Sequence, residues 1–233
     1  MASNQWLAVR ARIARNALSI GGAVAVYGVS FGALGVTSGL SVGQTCALSV
    51  IMFTGASQFA FVGVVGAGGS AIAAIAAAWL LGLRNAMYAL RMSTLLDVGG
   101  VRKLLAAQLT IDESTALALA QDEEIESGRA TRLGFWSGGL SVYVLWNAAT
   151  LLGAVGAGAL GDPRVYGLDA AIPAGLFALL WPRLRDREAW AVAGAAMCVA
   201  ALLTPMTRPG IPVIATGLVA VVAALRALRR GAA

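Results

Sequence analysis

Charge is what this sequence lacks most. Only 12% of its 233 residues are Asp, Glu, Lys or Arg, against about 25% in a typical soluble domain. No charged side chain at all occurs between Arg15 and Arg84. A soluble domain would expose part of so long a segment, and charged side chains would then appear on its wet surface. Since about 20 apolar residues cross a bilayer as a helix, the sequence predicts an integral membrane protein.

Several groups that enzymes use are also scarce. The sequence contains no His, a single Lys at Lys103, and two distant Cys, Cys46 and Cys198. It has no cluster at metal-ligand spacing, no GxxxxGK[ST] phosphate loop, no GxSxG nucleophile elbow and no HExxH motif. We therefore expect no metal, no cofactor, no ATP motor and no enzymatic activity.

Nine of the 17 Lys and Arg residues form three clusters, and each cluster flanks an apolar run. They are Arg10, Arg12 and Arg15, then Arg183, Arg185 and Arg187, and finally Arg226, Arg229 and Arg230. Lys and Arg of this kind hold loops on the cytoplasmic side of a membrane. The net charge of +6 invites a nucleic-acid partner. However, the clusters contain no interleaved aromatics and form no compact basic domain, so we expect contact with lipid and not with nucleic acid.

The apolar runs do not alternate as membrane β-strands do. We therefore predict an all-α fold, a polytopic membrane helix bundle of seven or eight spans, some of them short or broken. The expected helices cover residues 17–38, 44–66, 70–95, 103–120, 133–160, 168–182, 188–204 and 210–228. Residues 1–233 are expected to form a single membrane domain, with a basic cytoplasmic N-terminus at 1–16 and a polar loop at 121–132.

Eight spans would place Arg102 and Lys103 outside, against the positive-inside rule. A shortened or re-entrant piece at 103–120 or 168–182 would remove this conflict.

Glycines punctuate the first apolar run at Gly28, Gly32, Gly35 and Gly39, so that this segment looks broken. Gly-interrupted segments point to the substrate site in secondary transporters. The same small residues also allow two helices to pack closely. Both interpretations stay open on the sequence.

Asp112 and Glu113 are adjacent carboxylates inside an otherwise apolar stretch. Ionisable groups at membrane depth are costly, so they face a cavity, a partner or a proton path, unless their helix lies wet along the interface. Adjacent residues point about 100° apart on a helix, so at most one of the two would face a given site. Arg84 shares a helix face with Tyr88 and Arg91. If Arg84 is buried it needs a carboxylate or backbone carbonyls, and Asp112 or Glu113 is the obvious partner.

Three further polar residues stand out. Thr54 and Gln58 lie four residues apart, on one face of the expected second helix. Such groups either hydrogen-bond across helices or line a pore. Asp169 begins a short expected helix, where a capping or dipole role is the modest explanation.

At these residues the chain resembles the AzlC family, the large subunit of branched-chain amino acid exporters. Ser30-Phe31-Gly32 is similar to its Phe-Gly element, and the stretch from Phe53 to Phe59 is similar to its Phe-Ala-Gly-Ala-x-Gln-Phe stretch. The segment from Leu83 to Tyr88 resembles the Asn-x-Arg-His-x-x-Tyr element, with Gly82 and Asn85 in place of the usual Asn and His. Further matches are Asp112-Glu113, Trp146 and Gly167-Leu168-Asp169.

The resemblance implies a secondary transporter that exports branched-chain or similar small hydrophobic amino acids across the bacterial cytoplasmic (inner) membrane. It also implies a small multi-spanning AzlD-type subunit as partner. Residues for substrate binding or coupling would be Phe31, Gly32, Thr54, Gln58, Arg84, Asn85, Tyr88, Asp112, Glu113, Trp146 and Asp169. The alternative is a channel, or a membrane-complex scaffold subunit without its own transport cycle.

Overall fold

The computed structural model describes residues 2–121, 127–159, 177, 180–181 and 184–231, and no strand occurs among them. The helices are α1 (Ala2–Thr37), α2 (Val42–Ile51), α3 (Gly55–Gly66), α4 (Ala71–Leu96), α5 (Gly100–Gln108), α6 (Asp112–Leu119), α7 (Ser127–Ala159), α8 (Arg187–Leu203) and α9 (Ile211–Gly231). α1, α4 and α7 are long and apolar enough to cross a membrane. The predicted all-α membrane bundle is confirmed. Asp169 and most of the helix expected at 168–182 lie outside the described residues.

The most extensive helix contact joins α1 and α7, which run side by side in the same direction. Near their N-termini the Arg129 guanidinium lies 4.2 Å from the centre of a Trp6 ring. Further along, the backbone at Gly32 approaches the backbone at Thr150. This packing continues both helices beyond the apolar residues, so α1 begins well before the expected residue 17. For the same reason α7 begins at Ser127, inside the polar loop expected at 121–132. Residues 122–126 of that loop are not among the described residues.

Glycines bring the backbones of α1 and α7 into direct contact. A Cβ at Gly32 would collide with the Thr150 carbonyl oxygen, and a Cβ at Gly153 would collide with the Val29 carbonyl oxygen. α1 is continuous through the glycines of the first apolar run, and only Gly39, with φ +96°, lies in the turn beyond it. The expectation of a broken first segment is therefore wrong. These glycines serve close packing.

Two opposite ends of the bundle can be defined from this pair. The basic end holds Trp6 and Arg129, and the opposite end is where α1 finishes at Thr37.

α2 and α3 form a hairpin that enters from the opposite end and returns to it. α2 begins shortly after α1, where the Ser41 hydroxyl accepts the Gln44 N–H at 3.1 Å and caps it. α3 finishes at Gly66, where a Cβ would lie 2.6 Å from the hydroxyl of Ser38, just beyond α1. The prediction of one helix over 44–66 is therefore wrong. The break lies at Thr54, whose extended backbone (φ −158°, ψ 105°) interrupts the helix.

α5 and α6 form a second hairpin, which enters from the basic end. α4 starts next to the end of α3, so it finishes at the basic end, and three residues separate it from α5. α6 then runs back toward that end, because Ser114 lies against Gly139 of α7 whereas Leu117 lies against Gly134. One helix over 103–120 is also a wrong prediction, and the re-entrant alternative describes this segment. Arg102 and Lys103 consequently lie at the basic end.

The first six helices form an inverted repeat. In each half, a long helix is followed by two half-length helices that are joined by a three-residue tip. The tips are 52–54 in the first hairpin and 109–111 in the second. Since the hairpins enter from opposite ends, both tips lie near the middle of the bundle. Inverted repeats with broken helices are a common architecture of secondary transporters.

α8 and α9 pair with each other beside α4. A Cβ at Gly210 would lie 2.7 Å from Ala73, and Gly217 packs against Leu80, so α9 runs from the opposite end to the basic end. α8 has no buried residue and returns along α9, with Arg187 and Arg226 lining the same groove. The described members of all three basic clusters therefore lie at one end.

Replacing Gly153 tests the α1–α7 contact. We expect Gly153→Val to lower the free energy of unfolding by about 1–3 kcal/mol, because the new side chain collides with a backbone that cannot move aside. Thermal unfolding in detergent measures the loss. Gly156→Val is the matched control, since a Cβ there has no atom within 4 Å. Equal unfolding temperatures for the two variants would contradict the close contact.

Thiol labelling tests the two hairpins. In a protein whose Cys46 and Cys198 are replaced by Ser, we expect Lys103→Cys to react with an impermeant thiol reagent from the same side of the membrane as Gln5→Cys. Ala67→Cys should react from the other side, because α3 returns to the opposite end.

The comparison is decisive because membrane crossings at 44–66 and 103–120 would reverse the sides of residues 67 and 103. Labelling in right-side-out and inverted vesicles distinguishes the two arrangements.

Candidate functional site

The tips of both hairpins line one cavity of about 100 Å³ in the middle of the bundle. This volume is several times the ~10–15 Å³ that one water requires. The polar part of its wall consists of Tyr27, Thr54, Arg84, Asp112 and Glu113, and the apolar part includes Val24, Phe53, Ile111, Val142 and Trp146. Five helices and both tips therefore contribute to a single site.

An ion pair crosses from α4 to the second hairpin at this cavity. Arg84 Nη1 lies 3.1 Å from Asp112 Oδ2, with side-chain exposures of 35% and 24%. The pairing that the sequence suggested is confirmed. Charges at membrane depth persist only when they are paired or face a polar cavity. The buried Arg84 Nε has no hydrogen-bond partner among the described residues.

Asp112 and Glu113 are the first two residues of α6 and both line the cavity. Carboxylates are stabilised there by the partial positive charge at the N-terminus of a helix. Ser114 fixes this terminus, since its hydroxyl accepts the Ile111 N–H at 3.1 Å and donates to the Leu109 carbonyl at 2.7 Å. The expectation that only one carboxylate would face the site is wrong, because both border the cavity at the helix start.

The N-terminus of α3 faces the same cavity but carries no acidic residue in its first turn. Thr54 is its N-cap residue and makes no side-chain capping bond, and the Thr54 hydroxyl has no partner among the described residues. The first N–H groups of a helix lack intrahelical acceptors. Gly55 and Ala56 therefore present a partial positive charge to the cavity, which favours an anion.

Aromatic rings form the apolar wall. Phe31 stacks on Trp146 with ring centres 6.2 Å apart, and Phe59 meets both rings edge-on at 5.8 and 6.4 Å. A Cβ at Gly55 would lie 3.3 Å from the Trp146 ring, so the glycine leaves room beside it. Phe31 thus supports the site from behind, whereas Trp146 lines it.

Other predicted site residues lie next to the cavity without lining it. Gln58 is fully buried and its Nε2 donates to the Met52 carbonyl at 2.7 Å, so it holds the first tip. The predicted common helix face for Thr54 and Gln58 is wrong, because the helix begins only after Thr54. Gly32 lies in the contact with α7.

Asn85 and Tyr88 are half-buried on α4 and do not line the cavity. The Oδ1 of Asn85 has no partner among the described residues.

Tyr27, Phe53, Ile111 and Val142 line the cavity without having been predicted. A signal for Ile111 was present. Thr110 followed three residues later by Glu113, with Asp112 beside it, is typical of a helix start, and Ile111 lies inside that pattern. Phe53 and Val142 are ordinary apolar residues and Tyr27 is an isolated tyrosine, so only their tertiary placement distinguishes these three.

Comparison with known proteins identifies a matching family. The sequence model of the family described as AzlC protein matches residues 19–160. The match spans most of α1, both hairpins, α4 and α7, and therefore every residue that lines the cavity. No curated protein and no solved structure matches the chain.

A double-mutant cycle tests the ion pair. We expect Arg84→Gln and Asp112→Asn each to lower the unfolding temperature, because each leaves its charged partner at the cavity. The double variant should recover part of the loss, with a coupling energy of about 1 kcal/mol given the partial exposure of the pair. Arg91→Gln, an exposed arginine on the same helix, should show no coupling to Asp112→Asn. Additive losses for Arg84 and Asp112 would contradict a direct pair.

Proposed function

Because the chain belongs to the AzlC family, whose members are membrane transport subunits, we propose that it exports branched-chain or similar small hydrophobic amino acids. It works as a secondary transporter in the bacterial cytoplasmic membrane. The observation that carries this proposal is the convergence of two helix N-termini and the Arg84–Asp112 pair on one cavity. Discontinuous helices bind charged groups of substrates in this way in secondary transporters.

The amino acid carboxylate binds at the N-terminus of α3. The first N–H groups of that helix face the cavity, and the unpartnered hydroxyl of Thr54 and the Nε of Arg84 add two further donors. Donors of this kind suit a carboxylate because they combine a partial or full positive charge with directed hydrogen bonds. No acidic residue lies in the first turn of α3 to compete for them.

The ammonium group binds at the start of α6. Asp112 and Glu113 bring two carboxylates to the cavity, while Arg84 supplies one guanidinium to its lining. A zwitterion whose carboxylate lies at α3 therefore places its ammonium beside opposite charge. The two tips thus recognise the two ends of one substrate.

The side chain of the substrate packs on the apolar wall. Trp146 and Val142 of α7 and Phe53 of the first tip provide a surface for an aliphatic chain. The space beside Gly55 keeps the Trp146 ring accessible. This wall favours apolar over polar amino acids, because burying an unpaired polar group costs free energy.

Membrane orientation and assembly follow from the same architecture. The basic end faces the cytoplasm, since Lys and Arg remain on that side, and the chain crosses the membrane several times. A small multi-spanning AzlD-type subunit covers part of the bundle. The exposed apolar face of α4, which includes Ile72, Trp79 and Met87, is open to lipid or to such a subunit.

Efflux from preloaded cells tests the proposal. We expect saturable export of labelled leucine, isoleucine, valine or methionine when the chain is expressed with its small subunit. Asp112→Asn should reduce export at least ~10-fold, because it removes a charge that binds the ammonium. Asp97→Asn is the control, since Asp97 lies at the end of α4, away from the cavity. Unchanged export by Asp112→Asn would remove that carboxylate from the mechanism.

The same assay separates a carrier from a channel or a scaffold. A channel would give downhill flux that does not saturate and shows no counterflow, and a scaffold would give no flux that depends on the cavity residues. Absence of export for all four amino acids, with the complex present in the membrane, would exclude this cargo.

A further inference from the structure

The last carbonyl groups of α2 are held by two glutamine side chains from different hairpins. Gln58, on the returning arm of the same hairpin, donates its Nε2 to the carbonyls of Met52 at 2.7 Å and Ser49 at 3.3 Å. This bond closes the first tip on itself.

Gln108 makes the corresponding contact from the second hairpin. Its Nε2 donates to the carbonyl of Val50 at 2.8 Å and to that of Ile51 at 3.3 Å. Gln108 is the final residue of α5, directly before the second tip. Its side chain therefore connects the tips of two hairpins that enter the bundle from opposite ends.

The surroundings of this contact make it hard to replace. The final carbonyls of a helix have no intrahelical donor. Val50 and Ile51 are 44% and 74% exposed on the outside of the bundle, where lipid and not water surrounds a membrane protein. An unsatisfied carbonyl at that depth is costly. The Gln108 amide, which has two N–H groups, donates to both carbonyls, whereas the Tyr143 hydroxyl reaches the Val50 carbonyl at 3.5 Å.

The contact also fixes the geometry of the proposed substrate site. Gln108 is separated from Asp112 only by the three tip residues, and Ile51 is separated from Gly55 only by the other three. The bond between α5 and α2 thus sets how far the N-terminus of α6 lies from that of α3 across the cavity. These two termini are the ones that would hold the two charged ends of an amino acid.

We propose that Gln108 is a positioning residue that clasps the two hairpins together and fixes the spacing of the α3 and α6 N-termini. The role of this clasp in substrate binding rests on the proposed transport function. The hydrogen bonds between the hairpins do not depend on that function. Its loss weakens substrate binding more than the turnover of bound substrate. A purely structural residue would instead change the amount of folded protein.

Transport kinetics test the clasp in the complex with the small subunit. Gln108→Met keeps the length of the side chain and removes both donors. We expect it to raise the KM for export about five- to thirtyfold, as the loss of one or two hydrogen bonds would, with little change in the amount of complex in the membrane. The matched control is Gln121→Met, because Gln121, two residues beyond the end of α6, donates to the Leu117 carbonyl of that same helix at 3.1 Å and does not connect the two hairpins. That control should leave the KM unchanged.

A distance measurement tests the clasp without any transport. Spin labels at Ala47→Cys on α2 and Leu104→Cys on α5, both exposed positions, report the separation of the hairpins. The natural Cys46 and Cys198 are replaced by Ser. We expect Gln108→Met to broaden or shift the distance distribution in pulsed electron resonance, whereas Gln121→Met should not.

The two measurements distinguish the clasp from the proposed function. An unchanged distance distribution for Gln108→Met overturns the clasp, and so does an altered distribution with an unchanged KM, since spacing would then not affect binding. If the unaltered complex exports no amino acid but the distribution still changes, the proposed cargo is wrong and the clasp between the hairpins is supported.

Discussion

The contact between the backbones of α1 and α7 is the constraint on which the rest of the structure depends. Two parallel helices approach this closely only because Gly32 and Gly153 have no side chains. The pair forms a wall against which both hairpins pack. Trp146 meets Gly55, directly after the first tip, and Gly139 lies against Leu109 of the second tip, so α7 sets the depth of each hairpin. A cavity forms where the two tips meet this wall.

The chemistry of the site follows from how the backbone groups at each helix break find hydrogen-bond partners. Carbonyls at the end of α2 are paired with the amides of Gln58 and Gln108. The N–H groups that begin α3 have no capping bond from the Thr54 side chain, and Gly55 and Ala56 line the cavity. Backbone groups at membrane depth must find partners. With its carbonyls paired and its N–H groups uncapped, the first tip brings the partial positive charge of a helix start beside the carboxylates of the second.

The sequence predicted the residues of this site better than the architecture that brings them together. The absence of charge between Arg15 and Arg84 identified the membrane class. The high cost of a lone buried charge suggested Asp112 or Glu113 as the partner of Arg84, and Asp112 is the one that pairs with it. The hairpins were missed because a continuous apolar run at 44–66 shows no change of direction. The reversal of the chain is evident only from the tertiary contact between Gly66 and Ser38. The misplaced charges of Arg102 and Lys103 were the one signal of re-entry, and they indicated only the second hairpin.

The short hairpin arms also constrain how the protein is made. The 10 residues of α2 and 12 of α3 extend only ~15 and ~18 Å, about half of the ~30 Å hydrocarbon core. Neither arm can cross the bilayer by itself as it leaves the ribosome. The first hairpin also relies on residues made much later, because the Ser49 hydroxyl donates to the Thr150 hydroxyl on α7 at 3.2 Å. Synthesis must therefore reach α7 before the first hairpin can settle, and the order of assembly in the membrane differs from the order of the chain.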